Sequence, residues 1–527
     1  MKKIIVALVL ILFPAFSLML KQGIFTMHDF HPFRQLEFNK CILRGEFPCR
    51  WAIDSVKGYG EPVFVYYGQV PYWVGGIFSA MGIGTLNAFK ATLIFSLLLS
   101  GLGMYLLARR FWPVGGAFVS SVLYIYAPYR AVDVWVRGAL SETLAFVFYP
   151  FILLSIDDFL ILKSIRQFMF LSLLFAGLIS THNLSAYMFL PFMGVWALWR
   201  WKVNKGDIHR LYDLISAGLM GILISSFYWL PILLEGNLVT VAQTTQGYYE
   251  YGIHFTTLYR LFISNFWGYG GSVWGDTQYM SFAIGYAHWL LPVLFIFTWG
   301  YLKLRGEKID KSFYVVLLLL AFGMFAVFLT HGKSALIWKM VPGLAYVQFP
   351  WRFLGIASLF LSLAGGGIAT LLSGTLVSVV VIILVILNAG NFRHDIWKTQ
   401  TDKEYFSGDW WEIQRSSALG DFWPKSAGNE PKENAPQAIE ILMTTDKFQK
   451  IRFPIVYFPG WEVKTKRGII STFPSGNYGL ITAKIPTDSL DSYRLVFSDT
   501  SPRKVGNLVS LLSVACLMLI CNRNEKK

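Results

Sequence analysis

The chain reads as a polytopic α-helical membrane protein with a small antiparallel β-domain near its carboxyl end. Apolar stretches of 17 or more residues recur along all 527 residues. Charged residues make up only 15 %, against roughly a quarter in soluble domains, and mean hydropathy is +0.49. Between Asn391 and Val505 the pattern changes to short, partly alternating runs such as "KIRFPIVYF" and "YGLITAKI", separated by Pro, Gly, Asn and Asp. The net charge of +15 sits mostly in short loops between apolar segments, which argues against a nucleic-acid partner.

The elements follow in order. "IIVALVLILFPAFSLML" follows Lys2-Lys3 with no small-x-small cleavage site, and is expected to be an uncleaved first helix. Basic clusters recur at Arg109-Arg110, Lys163 with Arg166, Arg200 to Arg210, Lys303 to Lys311 and Arg523 to Lys527. If all face the cytoplasm, each interval between them holds an even number of crossings. The run 167–199 must then cross twice, turning at "THNLS", and Val63 to Gly82 is expected to be a helix lying in the outer interface. The result is about twelve transmembrane helices, near 4–20, 86–107, 114–130, 141–160, 164–181, 183–199, 211–234, 283–302, 312–330, 353–372, 375–390 and 506–521. Both termini are expected in the cytoplasm of a cell (plasma) membrane protein.

The expected domains are a transmembrane unit, 1–390, with a large first outer loop, 21–85; an extracytoplasmic β-sandwich-like domain, 391–505; and a closing helix with a cytoplasmic tail, 506–527. Cys41 and Cys49 share the first outer loop, where a disulfide is permitted. Cys516 and Cys521 read as packing residues of the last helix.

Candidate chemistry begins at "FTMHDFHPFRQLEF", which places His28, Asp29, His31 and Arg34 directly after the first helix. Alone, these could be solvated residues capping a juxtamembrane helix, with Pro32 in its first turn. The expected topology sends company to the same face: Arg50, Tyr59 and Glu61; Arg130, Asp133, Arg137 and Glu142; His182 and Asn183; Gln348, Trp351 and Arg352. Arginines suit an anionic phosphate, a carboxylate can take a hydroxyl proton, and aromatic faces stack on sugars. Structural alternatives stand beside each: an Arg137–Glu142 ion pair, a polar turn at His182-Asn183, an interfacial anchor at Arg352, an aromatic belt at Tyr248 to Tyr251 and Phe266 to Trp274. His28, Asp29 and His31 could ligate a divalent ion, but flanking histidines more often orient a base. No metal site is assigned and no cofactor is certain.

The blocks "HDFHPFRQLEFNKCILRGEFPCRW", "GYGEPVFVYYGQVPYW", "YAPYRAVDVWVRGALSE", "ISTHNLSAY" and "VQFPWRFLGIASL" resemble bacterial membrane proteins of the "6-pyruvoyl-tetrahydropterin synthase-related domain" family. That family sits beside the YfhO-type proteins in the GT-C superfamily of membrane glycosyltransferases. "YFPGWEVKTKRG" and "GLITAKIP" resemble the outer β-domain of YfhO-type proteins. The pterin label is only a name, and no pterin synthase activity is expected. The resemblance implies a GT-C-like fold and a polyprenyl-phosphate-linked sugar donor. It also implies an acidic residue after helix one acting as base or metal ligand, a position Asp29 occupies. The acidic pair that often follows helix one is missing, which weakens the case for a metal. Asp29, His28 and His31 are thus the catalytic candidates, and Arg34, Arg50, Arg130, Arg137, Glu142, His182, Gln348 and Arg352 the substrate-binding ones.

Two function classes follow. One is transfer of a sugar from that donor to a cell-envelope acceptor on the outer face of the membrane. The other is a non-enzymatic role as a polysaccharide or lipid exporter or a degenerate scaffold. An exporter should carry polar groups at mid-membrane depth, whereas ionisable residues here gather near the expected helix ends.

Overall fold

The computed structural model describes residues 2–525 apart from 163, 274–278, 307–310 and 417–421. A helix falls on each of the twelve expected intervals. Among the described residues, seven helices are long and apolar enough to cross a membrane: Lys2–Leu20, Thr85–Ala108, Leu140–Leu162, Tyr286–Leu304, Lys311–Leu329, Pro350–Thr370 and Ser501–Cys521. Pro350–Thr370 is the most enclosed, 94 % buried by its neighbours. Val114–Ile125, Ile165–Thr181 and Gly374–Ala389 are apolar but shorter.

Three expected elements come out differently. The helix expected at 211–234 is two, Ile208–Ile224 and Ser226–Leu238, bent by 69°; at the break the Ser225 hydroxyl donates to the Gly221 carbonyl at 3.0 Å. The helix expected at 114–130 stops at Ile125, because Pro128 disfavours helical backbone just before it. A short turn, Pro128–Ala131, and a wide π-turn, Val132–Arg137, follow. The single interfacial helix expected at 63–82 is two helices, Val63–Tyr66 and Val70–Ala80. The chain breaks between them because Gly68 passes so close to the Ile165–Thr181 helix that a Cβ there would sit 2.2 Å from the Thr181 carbonyl oxygen. Val63, Phe64, Val65 and Tyr72 are buried in protein.

Basic residues gather at one end of the bundle. Arg110 pairs with Asp158, Arg200 Nε reaches Asp157 at 2.8 Å, and the Arg200 guanidinium lies over Phe111 at 5.1 Å. The Leu140–Leu162 helix carries Asp157 and Asp158 near that end and Glu142 at its start, where Arg137, His182 and Arg352 gather, with Asp29 beside Arg137.

There the first loop forms a helix, His31–Leu43, stapled by a Cys41–Cys49 disulfide. Strand β1 (Ile24–Phe25) pairs antiparallel with β2 (Trp397–Lys398). The residues after 390 are therefore not all β-domain. Trp397 Nε1 donates to the Gln22 carbonyl at 2.9 Å, and Asp402 accepts from the Thr85 and Leu86 amides, capping the Thr85–Ala108 helix. Two short helices follow, Asp402–Tyr405 and Gly408–Ser416.

The sandwich is confined to seven strands: β3 (Glu440–Thr444), β4 (Phe448–Val456), β5 (Trp461–Thr465), β6 (Gly468–Ser471), β7 (Phe473–Ser475), β8 (Leu480–Pro486) and β9 (Arg494–Phe497). They form sheets in the order β3-β4-β8-β7 and β6-β5-β9. Ile481, Ala483 and Ile485 alternate inward from β8 onto Val463 of the other sheet. The closing helix starts at Ser501 rather than 506, because Arg503 in its first turn is buried and donates from Nε to Glu235 at 2.8 Å.

Candidate functional site

Asp29 is held by backbone. The Val132–Arg137 turn ends at Gly138 (φ 66°), where a Cβ would lie 2.4 Å from Met27 Sδ. Carbonyls at a helix terminus lack intrahelical donors, and the first loop supplies them: the His28 amide donates to the Val136 carbonyl at 3.1 Å and the Asp29 amide to the Arg137 carbonyl at 2.9 Å.

Around the Asp29 carboxylate stand His31, with Nε2 at 3.6 Å, and the charges of Arg34 and Arg137. The His31 Nδ1 and the Tyr72 hydroxyl are hydrogen-bonded at 2.8 Å in a fully buried setting. The Arg34 guanidinium covers the Tyr67 ring at 4.6 Å. Asp29 itself keeps 38 % of its side chain open.

A second layer lies beneath. Arg137 Nη1 donates to Glu142 at 2.7 Å and to Asp133, and its guanidinium lies 4.9 Å from the Trp351 ring centroid. The Tyr129 hydroxyl donates to Glu142 at 2.5 Å, Arg352 Nε stands 3.8 Å from Glu142, and the Thr143 hydroxyl donates to Asp133 at 3.1 Å. Arg352 also donates to the Val347 carbonyl at 2.9 Å. His182 caps its own helix by accepting from the Ser185 amide at 3.3 Å, within electrostatic reach of Glu142 and Arg352.

The electrostatics follow from this crowding. Burial pushes the Asp29 carboxyl up, but His31, Arg137 and Arg34 together outweigh it and hold Asp29 below the usual carboxylate range. Burial draws His31 below its ordinary value despite Asp29, so the ring is neutral at pH 7. Burial and the neighbouring Glu142 push Asp133 well above the usual range, with Arg137 opposing. Arg34, Arg137 and Arg352 thus stand among three carboxyls, Asp29, Asp133 and Glu142, with Arg130 within electrostatic reach of Asp133.

The bundle end therefore brings together Asp29, His31, Arg34, Arg137, Glu142, His182 and Arg352. Four other candidates go elsewhere. His28 is exposed and its Nε2 donates to the Tyr269 carbonyl at 2.7 Å, so His28, Asp29 and His31 do not converge on one ion. Arg50 is buried in the latch of the closing helix, donating to the Phe227 carbonyl at 3.1 Å and Asn507 at 3.0 Å, beside Asp499. Arg130 is enclosed between Tyr124 and Phe146 and donates to Ser100 at 2.9 Å. Gln348 donates to the Thr244 carbonyl at 2.9 Å. Of the aromatic belt, Phe266 packs on Tyr279 at 4.3 Å, while Trp274 lies outside the described residues. Cys41, Glu46 and Cys49 are the one metal-compatible group among the described residues, and its cysteines are joined to each other. Sequence reasoning missed Tyr67, Tyr72 and Tyr129; "VYYGQVPYW" and "YAPYRAV" held the signal as aromatic-bearing blocks but did not single out which rings turn inward.

A multi-helix membrane bundle with an ionic cleft at one end is the class these observations define. The chain belongs to the 6-pyruvoyl-tetrahydropterin synthase related domain family of membrane proteins, whose model matches residues 64–394. No curated protein matches it. Among solved structures it is similar to the mycobacterial arabinofuranosyltransferase AftD, at 13 % identity and TM-score 0.46 over 76 % of this chain and 28 % of that one. It is also similar to the oligosaccharyltransferase AglB from Archaeoglobus fulgidus, in complex with an inhibitory peptide and a dolichol-phosphate, at 10 % identity and TM-score 0.40 over 84 % of this chain and 61 % of that one. The chain thus spans 28 % of AftD's length and 61 % of AglB's, and likenesses this distant carry no argument about activity.

Proposed function

We propose that the protein is a GT-C-type glycosyltransferase that moves a sugar from a polyprenyl-phosphate donor to a cell-envelope acceptor on the outer face of the membrane. The observation that carries this reading is Asp29: a carboxylate pinned by backbone at the end of the first helix, 38 % open, and flanked by Arg34 and Arg137. The basic end of the bundle faces the cytoplasm by the positive-inside rule, and the Asp29 end faces out.

In this reading Arg34, which is not locked in an ion pair with a neighbouring carboxylate as Arg137 is, meets the donor phosphate first, with Arg352 and Arg137 behind it. Asp29 accepts the proton of the acceptor hydroxyl as the sugar–phosphate bond breaks. A carboxylate held below its usual range is a weak base. An anionic phosphate beside Arg34 and Arg137 offsets the charges that hold Asp29 down, so the donor itself raises Asp29's basicity when it binds. The resting carboxylate stays ionised across the neutral range.

Mass spectrometry of membrane glycolipids and glycans from cells lacking the protein, and from cells rescued with wild-type or Asp29→Asn protein, tests this. A glycan absent from the deletion should return with wild-type, and return with Asp29→Asn only at roughly 10²–10⁴-fold lower rate. Full rescue by Asp29→Asn would move the base elsewhere or favour the non-enzymatic reading.

A further inference from the structure

Beside Asp29 lies a cleft lined by Thr26, Asp29, Phe30, Lys398, Tyr405 and Trp410, with none of Arg34, Arg137 and Arg352 in its lining. We propose that this cleft is the acceptor subsite, and that it takes a neutral sugar ring of a carbohydrate acceptor. The inference rests on the transferase reading and adds to it the class and position of the acceptor.

Charge sorts the two sides of Asp29. Toward the bundle stand Arg34, Arg137 and Arg352, suited to an anion. The lining of the cleft holds one cation, Lys398, one carboxylate, Asp29, and two aromatic walls, Tyr405 and Trp410. Tyr405 is buried and Trp410 is half-buried against it, with ring centroids 6.0 Å apart. A flat aromatic wall beside a carboxylate suits a sugar: the ring's C–H face packs on the indole while a hydroxyl donates to Asp29.

The wall is held in place from outside the cleft. The β1–β2 pairing brings Lys398 opposite Ile24, and the Asp402 cap fixes the segment to the Thr85–Ala108 helix. Lys398 Nζ rests over the Trp410 ring, 3.6 Å from its centroid, and with the ammonium there the cleft has room for about one water. The sugar therefore enters by displacing the Lys398 ammonium from the indole face. An exposed cation–π contact of this kind is worth about a two- to fivefold change in affinity.

The test uses the full chain in nanodiscs. Saturation-transfer NMR is run with methyl α-glucopyranoside, methyl α-mannopyranoside, methyl β-galactopyranoside and methyl α-arabinofuranoside, and undecaprenyl phosphate binding is measured in parallel on the same samples. At least one glycoside should bind wild-type protein. Trp410→Ala should weaken it at least about fivefold and Trp410→Phe should largely retain it. Lys398→Ala should tighten it about two- to fivefold. Undecaprenyl phosphate binding should be unchanged in all three variants, which also establishes that they fold, and reduced in Arg34→Ala. If undecaprenyl phosphate binds but no glycoside does, or if Trp410→Ala and Lys398→Ala leave glycoside affinity unchanged, the acceptor assignment falls and the transferase reading stands. If glycosides bind as expected but undecaprenyl phosphate does not, the donor reading falls instead.

Discussion

Replacing Glu142 by glutamine keeps its shape and removes its charge, which makes it a direct probe of the ionic layer beneath Asp29. Glu142 is 2 % exposed and accepts from Arg137 at 2.7 Å and from Tyr129 at 2.5 Å, with Arg352 at 3.8 Å. In Glu142→Gln the two arginines keep their charge and lose the carboxylate they share, and breaking a buried pair in this way costs about 3–5 kcal/mol. Arg137→Met does the converse: Asp133 and Glu142 lose the cation they share, at a similar cost. The double variant has one charge of each sign fewer, so its loss should fall short of the sum of the single losses by about 1–3 kcal/mol. Reversible unfolding in mixed detergent–SDS micelles, read by far-UV circular dichroism, measures all three. Single losses below about 1 kcal/mol, or losses that add to within about 0.5 kcal/mol, would mean that Arg137 and Glu142 do not depend on each other. Arg137 would then be a better-placed phosphate ligand than Arg34.

Two further predictions bear on the frame around the site. With Cys516 and Cys521 replaced by alanine, Lys466→Cys in the exposed β5–β6 turn should label with an impermeant maleimide in intact cells, whereas Lys205→Cys at the basic end should label only after lysis; the opposite pattern would invert the bundle and remove the outward-facing reaction. Asp402→Ala should destabilise the protein by about 1 kcal/mol through loss of the cap on the Thr85–Ala108 helix, and Asp402→Asn by a smaller amount, since the amide oxygen still accepts; equal losses in the two variants would assign the effect to charge rather than to capping.

Much of the frame was legible because apolar length and basic flanks are local signals. Each helix could be counted from some twenty residues, and the parity of the basic clusters required 167–199 to cross twice, where Ile165–Thr181 and Asn183–Val203 form two helices. The errors fall where one contact from far along the chain decides the backbone. Gly68 breaks its helix because of the Thr181 carbonyl, more than a hundred residues on. The stretch after Asn391 was grouped with the sandwich because it is polar and aromatic, yet Trp397 and Asp402 belong to the first loop and the Thr85–Ala108 helix.

The same distinction explains which site residues could be read. Asp29, Arg137, Glu142 and Arg352 stood out because a charge at a membrane end needs a partner or a purpose, and they do meet: Arg137 and Arg352 both face Glu142, and Arg137 lies beside Asp29. Arg50 and Arg130 satisfied the same criterion and found partners elsewhere, because the rule says that a buried charge is compensated, not by what. Tyrosine carries no such signal. At a membrane end it reads alike whether its hydroxyl points to lipid headgroups or to a carboxylate, so Tyr72 on His31 and Tyr129 on Glu142 emerge only from packing. Lys398 was the least legible of all. A lysine in a polar loop is ordinary, and what singles it out is the pairing of β2 with β1, across more than 370 residues, which sets its ammonium on Trp410 beside the open face of Asp29. Residues that a membrane protein uses to hold charge can thus be found from sequence, whereas those that shape the space around the charge depend on long-range pairing.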